Sequence, residues 1–326
     1  MIALPDLVRT VRWMARDTLR QSVASRLFWA MLGLTALCTL FALSVEVRGV
    51  EERPRHPDEL SIRMPRGQAA DAVEAPTGSV SLGFGLAEYP ITRSKAASVR
   101  ELQVWLAGVA ADTVGVLLAL LWTAGFMPTF LEPHAVTVLL AKPAPRWWLL
   151  AGKYAGVVLF VCAQAVLFVG GTWLGLGVAT GVWDARYWLA VPLLVTNFAV
   201  FYAFSAFLAV CTRSTVVSVF GTLLFWLLCW AMNFTYLRLA AGPVEGVAAG
   251  GSMLVELGYW VLPKPLDLSG IFFEALGAQD FSAPVPELEA ARRNGKFHPE
   301  LSVLASLGFA AGLMAVAGYE FKNTDY

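Results

Sequence analysis

Six stretches of this chain are apolar for long enough to cross a lipid bilayer, and nothing else in the sequence restricts its fold so severely. A bilayer's hydrocarbon core is about 30 Å thick and a helix rises about 1.5 Å per residue, so a crossing helix needs about 20 apolar residues. The stretches cover roughly 27–45, 106–131, 148–178 and 187–210, then from just after Arg213 to near Met232, and finally 301–319. Composition agrees: 57% of the 326 residues are hydrophobic and 15% charged. Soluble domains carry about 45–50% and about 25%. These figures exclude a disordered chain, collagen, a coiled coil and a disulfide scaffold. They predict an all-α polytopic membrane protein: one transmembrane domain of six helices, with an N-terminal amphipathic elbow helix and two extracytoplasmic loop regions.

The elbow is expected over residues 1–26. Arg9, Arg12, Arg16 and Arg20 recur every three or four residues and so form one helical stripe. Leu4, Leu7, Val8, Val11, Met14 and Leu19 lie mostly opposite. Such a basic amphipathic helix suits an anionic membrane surface, which makes membrane lipids an expected partner. The plainer alternative is a solvated basic tail. The first apolar run is too long for a signal-peptide core and is expected to stay as a span.

Between spans lie two long polar regions, 46–101 and 236–300. The first holds five prolines, and its segment 79–89 is able to hold a short strand. The second opens with a Gly-rich linker at 241–252. Its apolar part, 254–276, is interrupted by Pro263 and Pro265 and is read as short interfacial or re-entrant helices.

The net charge is zero, but its distribution is not even. The amino terminus, segment 132–147, Lys153, Arg213 and the tail hold ten Lys and Arg against five acids. The opposite side holds fourteen against eighteen, and intramembrane Asp112 is the remaining acid. The positive-inside rule therefore puts both termini in the cytoplasm of a multi-pass plasma (inner) membrane protein. No bulk basic footprint points to nucleic acid.

Recognisable catalytic chemistry is missing from the sequence. The cysteines Cys38, Cys162, Cys211 and Cys229 and the histidines His56, His134 and His298 are scattered without metal-ligand spacing, so no metal site is expected and the cysteines are read as buried and inert. Gly152-Lys153 lacks the remaining glycine and hydroxyl of a phosphate-binding loop. The Asn233-Phe-Thr235 sequon falls at a span edge. No polar region is long enough for a nucleotide-hydrolysing domain, which takes roughly 100–200 residues. The chain is expected to be no enzyme and to hold no cofactor.

The most distinctive stretch is Phe130 to Gly156, FLEPHAVTVLLAKPAPRWWLLAGKYAG. Its amphipathic run, 135–140, is followed by Pro143 and Pro145, which stop a helix and turn the chain back to the membrane. From the residues alone, it is either a rigid charged knob for a soluble partner or an ordinary interfacial loop. The segment resembles the coupling-helix region of ABC-2 type transporter permeases, with its E-x-G-T-I-x-L-L-L-x-K-P-x-S-R pattern and a helix starting near G-K. Glu132, Val136, Leu139, Leu140, Lys142, Pro143, Arg146, Gly152 and Lys153 fall at matching positions. His134 replaces the family glycine and Pro145 the serine. The elbow, the six spans, the large first loop, the broken hairpin before the last span and the charged tail extend the likeness over the whole chain. The long first loop is closest in character to the copper-processing or multidrug-type subgroup.

That resemblance implies a permease subunit of an ATP-driven exporter. It would pair with a second permease copy, and separate ATPase subunits would dock on Glu132, His134, Lys142, Pro143, Arg146 and Lys153. ATP and magnesium would be held in those partners. One alternative is a mechanical subunit that drives an extracytoplasmic maturation or remodelling protein. The other is a membrane scaffold without an ATPase. Within the spans, Asp112 is a candidate for the substrate path or for gating, set against a helix-packing role near the external helix end. Gln164 and Asn197 are expected to bond between helices, and Gly170, Gly171, Gly175 and Gly177 to mark close packing in the third span.

Overall fold

A computed structural model describes residues 16, 20–48, 78–91, 93–132, 145–242, 249–277 and 286–323. Six helices are long and apolar enough to cross a membrane: Arg26–Leu43, Lys95–Phe130, Arg146–Thr180, Ala185–Thr212, Thr215–Ala241 and Pro299–Asn323. The chain is therefore a predominantly α-helical multi-pass membrane protein, with spans 1 to 6 in that order.

The helix boundaries correct the sequence in two places. Span 2 begins at Lys95, inside the expected first loop, because the polar turn Lys95–Gln103 is continuous with the apolar helix. Span 5 runs on to Ala241, so the second loop region starts later than residue 236. Strands β1 (Glu46–Arg48), β2 (Gly78–Leu82) and β3 (Ala87–Ile91) form an antiparallel sheet in the order β1-β2-β3. The segment 79–89, expected to be able to hold a short strand, is a hairpin that turns through Gly83–Leu86, since Gly83 and Gly85 both take positive φ.

Residues 20–24 are helical, and that helix stops at Ser25, whose hydroxyl accepts from the Leu27 amide to start span 1. Arg16 is also helical, and both Arg16 and Arg20 are exposed. Arg9 and Arg12 lie outside the described residues.

Span 4 is the axis of the bundle, with 61% of its apolar window buried against 6% for span 1. Tyr187, Phe198, Phe201 and Tyr202 on it join Val157, Val169 and Trp122 in the main core. Span 1 lies along span 3 because two glycines let it approach. A methyl group at Gly175 would sit 2.9 Å from Ala42 Cβ and 3.0 Å from the Thr39 carbonyl, and one at Gly171 would press on Thr39. Gln164 of span 3 donates to Thr35 of span 1 (2.8 Å).

The 236–300 region contains two short helices, Ala249–Val261 and Pro265–Ala275, broken at 262–264 as the prolines suggested. A third, Pro286–Arg293, leads into span 6. Part of the expected Gly-rich linker, 249–252, is helical; 243–248 lies outside the described residues.

Candidate functional site

The helix Pro265–Ala275 is fastened into the bundle by two buried carboxylates. Asp267, on its first turn, is 0% exposed. It accepts hydrogen bonds from Asn233 Nδ2 of span 5 (2.9 Å), Tyr259 Oη of the preceding helix (2.6 Å) and Ser302 Oγ of span 6 (2.6 Å). The Asn233 carbonyl in turn accepts from the Leu266 amide (3.0 Å), one of the free donors at that helix start. Three elements thus converge on one anion, and each donor is oriented by a helix.

The second carboxylate is Asp112. It lies in Val104–Gly115, where span 2 winds as a π-helix, a form often found at functional positions. Asn197 Nδ2 of span 4 donates to it (2.7 Å), and so does Ser269 Oγ of the hairpin helix. The π stretch also receives that helix sterically, since a methyl group at Gly108 would overlap the Phe273 ring. Asp112 lies in the apolar part of span 2, beyond the polar stretch Lys95–Gln103. A cavity of about 10 Å³ beside Asp112 and Ser269 has room for about one water.

Lys264, between the two hairpin helices, is buried, and its ammonium has no hydrogen-bond partner among the described residues. It lies 4.8 Å from the Tyr259 ring centre and 5.6 Å from that of Trp260. Burial pulls its pKa below the usual lysine value, and the Asp267 charge opposes that shift. Tyr259 is pushed upward by burial and by Asp267, so its hydroxyl stays a donor.

At the opposite end of the spans lie the residues expected to meet an ATPase. Glu132 is exposed just beyond span 2. Arg146 opens span 3 and donates to the Lys322 carbonyl at the end of span 6 (3.4 Å). Lys153 is 2% exposed, so it is not a surface contact. Its ammonium bonds Gln21 Oε1 (2.8 Å) and lies 6.0 Å from the Phe126 and Phe130 ring centres, tying the amino-terminal segment to spans 2 and 3. His134, Lys142 and Pro143 lie outside the described residues, as does the run 135–140.

An apolar cavity of about 190 Å³ opens between the first four spans, lined by Leu34, Cys38, Val114, Ala119, Ala165 and Phe198 among others. Its lining is mostly apolar and suits an alkyl chain, with Thr35 and Gln164 as its polar side chains. Among the described residues, no group of three or more His, Cys, Asp or Glu is placed to hold a metal. All four cysteines are free; Cys229 is buried as expected, whereas Cys211 is exposed.

Asn197 and Gln164 were legible as interhelical bonders, and Asp112 as a candidate. Asp267, Asn233, Tyr259, Ser269 and Ser302 were not. The available signal was an acid just after Pro-Leu in an otherwise apolar hairpin. Asn233, which reads as a sequon, is buried and bonded to Asp267. No protein-family model matches the chain, and no match is found among curated proteins.

Proposed function

We propose that this chain is the membrane-spanning, non-catalytic permease subunit of an ABC-2 type ATP-driven exporter. It would work with a second permease copy and separate ATPase subunits, in the inner membrane with both termini cytoplasmic. The observation that supports the reading is span 2, Lys95–Phe130, whose helix turns at Ala124-Gly125 before its last five residues. One end leads to Glu132 and the coupling-like segment, and its π stretch holds Asp112 against the hairpin helix. A push at Glu132 is thereby delivered to the joint of spans 2 and 4 with the hairpin. ATP and magnesium belong to the partner, and no nucleic acid takes part. The apolar cavity between the first four spans favours an amphiphilic cargo over a free ion.

A second reading, a mechanical subunit driving an extracytoplasmic protein, draws on the far end of the same helix. There Arg100 donates to Asp184 (3.2 Å) beside the sheet. Charge reversal tests the shared part of both readings. Glu132→Lys combined with Lys142→Glu should sharply lower ATPase co-purification and ATPase stimulation while leaving the chain folded. Unchanged assembly and stimulation would mean that Glu132 and Lys142 do not form the coupling contact, whereas a chain that purifies with no ATPase would leave the scaffold reading. Deleting most of 50–77 then separates the two: an exporter keeps flux, whereas a mechanical subunit loses function with ATPase coupling retained.

A further inference from the structure

Span 1 has 18 residues. At 1.5 Å per residue it is roughly 27 Å long, barely enough for a hydrocarbon core of about 30 Å. Ser44, which caps its end, must therefore lie close to the edge of the hydrocarbon. The turn between β2 and β3 is fastened to that residue. The Gly83 amide donates to Ser44 Oγ (3.2 Å), and the Phe84 amide donates to the Ser44 carbonyl (3.2 Å). These bonds hold the turn at the level of the membrane surface.

The turn carries side chains that water disfavours. Leu86 is 91% exposed and Phe84 is 81% exposed, the two most exposed large apolar side chains among the described residues. Phe84 also sits at φ +57°, between Gly83 at +65° and Gly85 at +94°. Bulky side chains are rare in that region of backbone space, which glycine occupies freely. The turn therefore holds an aromatic ring outward at a position its backbone would give to glycine. The exposed apolar face of span 1, with Leu37, Leu40 and Phe41, runs up to the same place.

We propose that Phe84 and Leu86 insert into the interfacial layer of the bilayer beside span 1 and anchor the β-sheet to the membrane surface. The partner is the lipid surface itself, whose interface accepts an aromatic ring and an adjacent aliphatic chain. The anchor fixes the height of the sheet and is independent of what the permease moves.

Spin-label accessibility tests this on the full chain in phosphatidylcholine–phosphatidylglycerol vesicles. Cys38, Cys162, Cys211 and Cys229 are replaced by alanine, and one nitroxide is attached through Phe84→Cys, Leu86→Cys, Glu88→Cys or Leu40→Cys. Leu86→Cys leaves all three positive-φ positions untouched, so it keeps the test valid if Phe84→Cys folds poorly. At 84 and 86, collision with oxygen should exceed collision with a nickel chelate, as at 40. The oxygen-to-nickel ratio should be several-fold above that at 88. A nickel-rich, water-like environment at 86 would overturn the proposal. So would a label shielded from both reagents, which would mean that protein rather than lipid covers the turn.

Discussion

Of the two buried carboxylates that fasten the hairpin helix, Asp112 gives the direct test. Asp112→Ala leaves the buried Asn197 amide without its acceptor, while the Ser269 hydroxyl keeps the Pro265 carbonyl. An abandoned buried donor costs about 1–3 kcal/mol, so thermal unfolding of the purified chain in detergent should shift clearly downward. Asp112→Asn keeps an acceptor oxygen and should cost less. If the two variants melt alike, and like the parent, Asp112 does not hold the hairpin. Lys264 makes an opposite prediction. Its folded pKa lies below the ordinary 10.5, so between the two values the unfolded chain binds more protons and stability rises with pH. Lys264→Met removes an ammonium without a hydrogen-bond partner and should be neutral or stabilising, on the order of 1–3 kcal/mol. It should also flatten the alkaline rise in melting temperature. A steep rise retained in the variant would place its origin elsewhere.

At the scale of elements, two joints carry predictions. Gly175 lets span 1 lie on span 3, and its closest neighbours include the Thr39 carbonyl, part of a backbone that cannot rotate away. Gly175→Val should therefore cost about 1–3 kcal/mol through overpacking, read as a lower melting temperature. Equal stability would show that the spans separate freely. Asp184 joins the start of span 2 to the turn between spans 3 and 4, accepting from Arg186 and Arg100. The Arg186 hydrogen bond is the main cause of its lowered pKa. Its contribution is therefore present above the ordinary 3.8 and is lost as pH falls through the lower folded value. With the arginines partly exposed, Asp184→Asn should cost no more than about 1 kcal/mol, less at high salt. Hydropathy made the span count legible, because a bilayer demands length and apolarity together. The helix ends were less so: Lys95–Gln103 and Tyr236–Ala241 are helical beyond the apolar runs, and composition carries no sign of that. The hairpin break was legible from Pro263 and Pro265. Its fastening was not, because two of the donors to Asp267, Asn233 and Ser302, come from spans more than thirty residues away.

Across the whole molecule, two buried carboxylates join spans 2, 4, 5 and 6 to the hairpin helix, and a charged connection begins at Glu132 at the other end of span 2. Lys153 illustrates how a sequence match and a structural role diverge. The resemblance to the coupling pattern would put it at a partner contact, yet it is buried in the bundle and donates to Gln21. Its effect on a docked partner would pass through the amino-terminal segment. The proposed division of labour, with the engine outside this chain and a lever within it, has one direct test. The complex is purified from its native membrane through a tag on this chain, and ATP hydrolysis is measured alongside the stoichiometry of its subunits. The account predicts a co-purifying ATPase in equal number with the permease, with hydrolysis that falls on Glu132→Lys combined with Lys142→Glu. A chain that purifies without an ATPase, or a complex whose hydrolysis ignores both reversals, would contradict it.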